Sequence, residues 1–253
     1  MSMLPWNLDF SYDYYREIIA LLKRDFNLCS FHESPKHIGK RLDRSIAILR
    51  HDIDLDIDKA LIMAEIESNM GVCSCFMFLT NCAFYSIEDD TVSSAIRSIK
   101  EMGHDIGIHY DIHQDKNSTI EIECSRLEDI LNSVVKSISF HRPISEYLNG
   151  PIYIGDRVNT YASDLMNNYL SDSKGIWREG EPLKMIENYK NKTDVILQLL
   201  VHPIWWGCEG VTASEKLQEY FENRTIDMSQ KDKSYFDNEL SKHLSVIRSG
   251  KLN

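Results

Sequence analysis

Histidine and aspartate residues follow four short apolar runs of the sequence. Imidazole and carboxylate groups bind metal ions and transfer protons near neutral pH. Histidine accounts for only 9 of the 253 residues, so this repeated placement is hard to attribute to chance. The residues concerned are His51, Asp52 and Asp54 after the first run, His109 and His113 after the second, His141 after the third, and His202 after the fourth.

The elements that must position these residues alternate along the chain. The predicted strands are residues 45–49, 72–79, 105–108, 137–140 and 194–201. The predicted helices are residues 12–23, 57–69, 91–102, 120–135 and 231–248. This alternation predicts a parallel sheet covered by helices, either an open doubly wound sheet or a closed barrel. In both architectures the ligand site lies at the carboxyl ends of the strands.

The spacing of His109 and His113 is typical of a metal-binding pair. Two residues four apart share one face of a helix, and a turn that leaves a strand can bring them together in the same way. Two solvated loop histidines are the alternative, and the strand-end position favours the metal site.

Four aspartates alternate at residues 52, 54, 56 and 58. A calcium loop is excluded, because it needs a glycine at its sixth position, and Ile57 or Lys59 stands there. Asp56 and Asp58 precede a helix, so we expect them to cap its free N–H groups. Asp52 and Asp54 remain the candidates for chemistry.

Other residues of these segments have ordinary structural explanations. Cys73 and Cys75 are predicted to share one face of a buried strand, where packing is favoured over a thiolate zinc site. Trp205 and Trp206 either stack on a sugar or pack in the core. Arg142 either pairs with a catalytic carboxylate or forms a structural salt bridge.

Composition favours a globular protein that does not bind nucleic acid. Hydrophobic residues make up 43% of the chain, and the formal net charge of −11 repels phosphate backbones and anionic membranes. No signal peptide or membrane-inserted segment is expected. The six cysteines are expected to be free thiols, which is consistent with a cytoplasmic location. We expect one domain over residues 1–253.

The order of these motifs resembles the polysaccharide deacetylases of carbohydrate esterase family 4, over residues 46–206. The resemblance implies an irregular (β/α)7-type barrel with parallel strands. It also implies a divalent metal ion, Zn²⁺ being expected, bound by Asp54, His109 and His113. The family's two adjacent aspartates are separated here, as Asp52-Ile53-Asp54. Asp52 is assigned as base and Asp54 as ligand, although the reverse assignment stays open.

The resemblance also implies roles for three later residues. Arg142 orients the base, His202 is the general acid, and Asp172 supports that acid. Together these residues predict hydrolysis of an N-acetyl group on a sugar or glycan precursor, by metal-activated water. Two alternatives remain, which are hydrolysis of another non-peptide amide and a catalytically inactive barrel that binds a glycan or a protein.

Overall fold

The computed structural model describes residues 5–82, 84–113, 118–190 and 192–223. The helices are α1 (Tyr12–Asp25), α2 (Ile57–Asn69), α3 (Asp90–Glu101), α4 (Ile120–Leu131), α5 (Ser163–Met166), α6 (Pro182–Glu187) and α7 (Ala213–Asn223). The strands are β1 (Asn27–Leu28), β2 (Ile46–Ile53), β3 (Cys75–Leu79), β4 (Asp105–Tyr110), β5 (Ser137–Phe140), β6 (Tyr153–Ile154), β7 (Arg157–Asn159), β8 (Tyr169–Ser171) and β9 (Ile196–Val201). The helix predicted over residues 231–248 lies outside the described residues.

The strands form one curled, mostly parallel sheet that makes a half-barrel. Their order is β6-β7-β5-β4-β3-β2-β9-β8, and β1 pairs with β2 beside this path. Within the described part of the chain, only the β6–β7 pairing is antiparallel. The α/β class and the barrel-like parallel sheet are therefore confirmed. The carboxyl ends of β2, β3, β4, β5 and β9 lie at one rim.

Side chains alternate between the two faces of β2, and the candidate site residues lie on the face toward the interior of the half-barrel. Ala47 and Leu49 pack in a cluster with α1, whereas Ile46 and Ile48 belong to a separate core cluster with residues of β3 and β7. Side chains two apart on a strand share a face. The face that carries Ile46 and Ile48 therefore continues through residues 50 and 52 to residue 54.

The start of α2 shows why two of the four alternating aspartates have a structural role. Asp56 is the N-cap, and its carboxylate accepts a hydrogen bond from the Lys59 backbone N–H at 3.0 Å. Asp58 lies in the first turn, where a negative charge stabilises the helix dipole. The predicted cap is confirmed for Asp56.

The cysteines, Trp206 and the described helices bear on the smaller sequence-based predictions. The six cysteines, all within the described residues, form no disulfide, as expected. Cys75 is buried, but Cys73 is exposed, because β3 begins only at Cys75. The prediction that the two cysteines share one buried face was therefore wrong. Trp206 is fully buried and packs edge-on against Tyr15 and Phe10, which favours core packing. Among the described helices, none combines the length and apolarity needed to cross a bilayer.

Candidate active site

Three side chains from three strand ends converge at the rim of the half-barrel. Asp54 directly follows β2, His109 is the penultimate residue of β4, and His141 directly follows β5. Asp54 Oδ1 lies 3.2 Å from His109 Nε2 and 3.2 Å from His141 Nδ1, and the two nitrogens are 3.3 Å apart. One ligand atom from each residue thus lies within 4.8 Å of the others. This cluster of one carboxylate and two imidazoles is a candidate metal centre.

The donor set fits a divalent metal ion such as zinc. Ligands about 2.0–2.1 Å from a tetrahedral zinc lie ~3.3 Å from one another, close to the separations found here. Ser139 donates to the Ile108 carbonyl, so its hydroxyl oxygen can accept from His109 Nδ1 at 2.7 Å. This contact leaves the lone pair of Nε2 for a metal. Asp54 Oδ1 is buried without a well-oriented hydrogen bond, as expected of an atom that faces a cation.

The electrostatics of the cluster keep its carboxylate ionised. Burial raises the pKa of Asp54, but the charge of His141 and the close approach of both imidazoles outweigh burial and hold that pKa well below its usual range. An ionised carboxylate is the form that binds metal.

His113, the second histidine of the predicted pair, lies apart from this cluster. Its side chain is exposed, and its backbone N–H donates to Asp111 at 2.9 Å. The chain turns after β4 and does not continue as a helix, so four-residue spacing does not align the two imidazoles. The structure brings Asp54 and His109 together as expected and offers His141 in place of His113. The alignment of β4 with β5, in which Tyr110 pairs with Phe140, explains the position of His141.

Asp52 lies deeper on the same face of β2 and is paired with Arg50. The Arg50 guanidinium donates to both carboxylate oxygens, at 2.8 and 2.6 Å, and also to Tyr161 Oη at 3.0 Å and Gln198 Oε1 at 3.1 Å. Burial raises the pKa of Asp52, but Arg50 and His109 outweigh it and lower that pKa. Asp52 Oδ2 is 3.6 Å from His109 Nδ1, so the carboxylate adjoins the candidate metal centre.

Arg142, the predicted partner of the base, pairs with a different carboxylate. Its guanidinium donates to Asp111 Oδ2 at 2.7 Å, and 43% of its side chain is exposed. Its backbone has a positive φ of 55°, which turns the chain as it leaves β5. Arg50, which the sequence arguments did not single out, occupies the position beside Asp52. The two-residue spacing of Arg50 and Asp52 on a strand is the signal that could have identified it.

His202 and Asp172 form a pair at the end of β9. His202 Nδ1 lies 2.6 Å from Asp172 Oδ1, and the His202 backbone N–H also donates to this carboxylate at 3.0 Å. Trp206 Nε1 donates to Asp172 Oδ2 at 2.8 Å. Burial lowers the pKa of His202, but the hydrogen bond and charge of Asp172 raise it to about 9. His202 is therefore an imidazolium near neutral pH.

The position of His202 relative to β2 follows from strand register. Val201 pairs with His51, so His202 follows at the level of Asp52 on the neighbouring strand. The predicted partnership of Asp172 with His202 has the expected geometry, while the catalytic roles of both remain predictions.

His51, also noted at a strand end, belongs to a different network. It points away from Asp52, stacks on Phe76 with a ring separation of 4.1 Å, and lies 2.6 Å from the Glu67 carboxylate. Tyr15 and Ser74 donate to the same carboxylate. This buried network attaches β2 to α1 and α2, and it fixes the face that β2 turns to the site.

Comparisons with known proteins give matches at the level of structure alone. No protein-family model matches the chain, and no curated protein does. Solved structures of CE4 family proteins are similar to it.

A CE4 family pseudoenzyme from Bacillus anthracis is 14% identical with a TM-score of 0.39, and the match covers 74% of this chain and 60% of that one. A family 4 acetyl xylan esterase from Clostridium thermocellum, solved with a cobalt ion, is 15% identical with a TM-score of 0.38, over 70% of this chain and 82% of that one. The Streptococcus pyogenes deacetylase PplD, solved with acetate, is 10% identical with a TM-score of 0.40, over 82% and 85%. The chain thus spans less than two thirds of the length of the pseudoenzyme.

Proposed function

We propose that this protein is a metal-dependent hydrolase that removes an N-acetyl group from a sugar or glycan precursor. The observation that carries the proposal is the cluster of Asp54, His109 and His141. Two imidazoles and one carboxylate bind zinc and leave positions for water and substrate. A divalent ion bound there supplies Lewis-acid polarisation of a carbonyl and lowers the pKa of water from 15.7 toward about 7.

Asp52 is the proposed general base. Its carboxylate is ionised, adjoins His109 and is held in place by two hydrogen bonds from Arg50. Arg50 favours the charged form of Asp52, and its planar guanidinium fixes the direction of the carboxylate. A carboxylate held in this way is suited to accept a proton from water. In this proposal Arg50 is the positioning residue that the resemblance had assigned to Arg142.

His202 is the proposed general acid. Its pKa of about 9 means that it carries a proton near neutral pH, and Asp172 fixes its ring through Nδ1. Nε2 is then the nitrogen that donates a proton to the departing amine. Acid–base assistance of this kind contributes roughly 10²–10⁴ in rate.

The N-acetylated substrate comes from the resemblance of the motifs to family 4 carbohydrate esterases. The same acid, base and metal would also hydrolyse an amide other than an N-acetyl group. The choice of substrate is therefore tested directly. The altered first motif supports a second candidate, an inactive barrel that binds a glycan or a protein. The separate acid and base beside the metal cluster favour the enzyme.

Acetate release from an N-acetylglucosamine tetramer, measured together with bound metal, tests the proposal. We expect the purified protein to bind about one divalent ion and to release acetate in a manner that chelation abolishes and Zn²⁺ restores. Asp54→Ala should lose both metal and activity. Asp52→Asn should keep the metal and lose at least about 100-fold in rate. Asp58→Ala is the matched control, because this exposed aspartate lies in α2, and it should keep both.

Activity that survives in Asp52→Asn places the base elsewhere. A metal-loaded protein that releases no acetate from this tetramer, or from other N-acetylated sugars, supports the inactive barrel.

A further inference from the structure

Asn81 lies at the same rim as the metal cluster, just beyond β3. Leu79, the last residue of β3, pairs with His109 of β4. Cys82 donates its thiol to the Asp54 carbonyl at 3.2 Å. Asn81 therefore lies in the chain between Leu79, which pairs with His109, and Cys82, which contacts Asp54.

The amide atoms of the half-buried Asn81 have no hydrogen-bond partners. Both Oδ1 and Nδ2 are closed off from solvent, and neither makes a hydrogen bond within the described structure. The hydroxyl of the neighbouring Thr80, a residue that is 2% exposed, is in the same state. Buried polar groups in proteins are nearly always hydrogen-bonded, so three unpaired polar atoms on adjacent residues need an explanation. A ligand that completes these bonds provides one.

The chemistry of a carboxamide matches that of an acetamido group. Asn offers two N–H donors and one carbonyl acceptor, and a secondary amide offers one of each. In the proposed reaction the substrate nitrogen must present its lone pair to His202. β3 and β9 lie on opposite sides of β2 in the sheet, so the chain positions of Asn81 and His202, which follow β3 and β9, lie on opposite sides of the end of β2. An acceptor on the β3 side would hold the substrate N–H and turn the lone pair toward β9.

We propose that Asn81 binds the acetamido group of the substrate. This inference rests on the proposed function. Oδ1 accepts from the substrate N–H, and Nδ2 donates to a substrate oxygen. Asn81 thereby makes the site specific for N-acetylated over hydroxylated sugars.

Calorimetric binding of two neutral tetramers tests this inference. The N-acetylglucosamine tetramer and cellotetraose differ in the acetamido or hydroxyl group on each ring. With Asp52→Asn present to prevent turnover, the protein that keeps Asn81 should prefer the acetylated tetramer, and Asn81→Leu should reduce that preference about tenfold, the factor associated with one hydrogen bond. Asn81→Ala, which adds no bulk, should show the same reduction. The melting temperature is the second measurement, and Asn81→Leu should raise it, because an unpaired amide is replaced by an apolar group of similar size.

Asn159 is the matched control. It is fully buried, but its amide donates to the carbonyls of Tyr147 and Pro151 and accepts from the Tyr161 backbone N–H. Asn159→Leu should therefore lower the melting temperature. Asn81 variants that melt at a lower temperature, or that fail to fold, would show that the amide has a structural role and overturn the inference.

Equal binding of the two tetramers by the protein that keeps Asn81, or a preference that the Asn81 variants retain, would overturn the inference as well. Acetate release by the wild-type protein decides the proposed function separately, because the binding comparison is made in proteins in which Asp52→Asn prevents hydrolysis.

Discussion

Replacement of His141 and His113 by alanine, one at a time, distinguishes the structural ligand set from the one that residue spacing predicts. His141 Nδ1 lies 3.2 Å from Asp54 Oδ1 and 3.3 Å from His109 Nε2, so His141→Ala removes one of the three candidate ligand atoms. Loss of an outer partner alone weakens metal binding about 10- to 100-fold. Loss of a ligand should therefore weaken zinc affinity by about 100-fold or more.

His113→Ala is expected to have little effect. Its imidazole is exposed, and the contact with Asp111 uses the backbone N–H, which alanine retains. We expect zinc affinity within about threefold of the wild type and a free energy of unfolding within about 0.5 kcal/mol, as for ordinary surface substitutions.

Competition between the protein and a chromophoric zinc chelator measures both affinities on one scale. Thermal melts of the metal-free proteins show whether either variant is misfolded. Equal losses of affinity in the two variants, or a larger loss in His113→Ala, would refute the structural ligand set. The pair His109 and His113 would then have to come together on metal binding.

Two further predictions concern the acid and the positioning of the base. The pKa of His202 is about 9, so kcat/KM should fall as pH rises through about 9, where the acid loses its proton. Asp172→Asn removes the charge that raises this pKa, so the alkaline limb of the pH profile should move to lower pH; an unmoved limb assigns it to another group. Arg50→Met leaves the carboxylate of Asp52 buried without its cation and should reduce the free energy of unfolding by about 3–5 kcal/mol at pH 7, measured in urea.

The effect of Arg50→Met should depend on pH in a defined direction. The lowered pKa of Asp52 stabilises the folded protein above the unfolded value of 3.8, and this stabilisation is lost as pH falls. The difference between wild type and variant should therefore shrink below about pH 4. Arg16→Met, at an exposed i,i+3 pair with Asp13, is a surface control that should change stability by about 1 kcal/mol or less. A similar small change in Arg50→Met would contradict the buried pairing.

The alternation of apolar and amphipathic segments was sufficient to predict the class of fold and the rim that carries the site. Parallel strands gather their carboxyl ends at one edge, so polar residues at Asp54, His109, His141 and His202 were expected to meet there. That rule depends only on chain direction and on which segments are strands. It does not depend on the exact order of the strands.

The choice among these residues could not be predicted, because it depends on strand register and on turn geometry. His113 and His141 both follow a strand, and only the pairing of Tyr110 with Phe140 shows which imidazole faces His109. Likewise, both Arg50 and Arg142 could reach a carboxylate. The exposed turn at Arg142, with its positive φ, directs that guanidinium to Asp111.

The separation of the two aspartates has a geometric explanation that bears on whether the site is active. β2 remains a strand through Ile53, so adjacent aspartates would point to opposite faces, whereas Asp52 and Asp54 point to the same one. Arg50 precedes them on that face and supplies the cation that Arg142 does not. One strand thus presents the proposed positioning residue, the proposed base and a candidate ligand at consecutive inward positions. In the proposed function, Arg50 keeps the base charged beside the candidate metal cluster, while Arg142 pairs with Asp111.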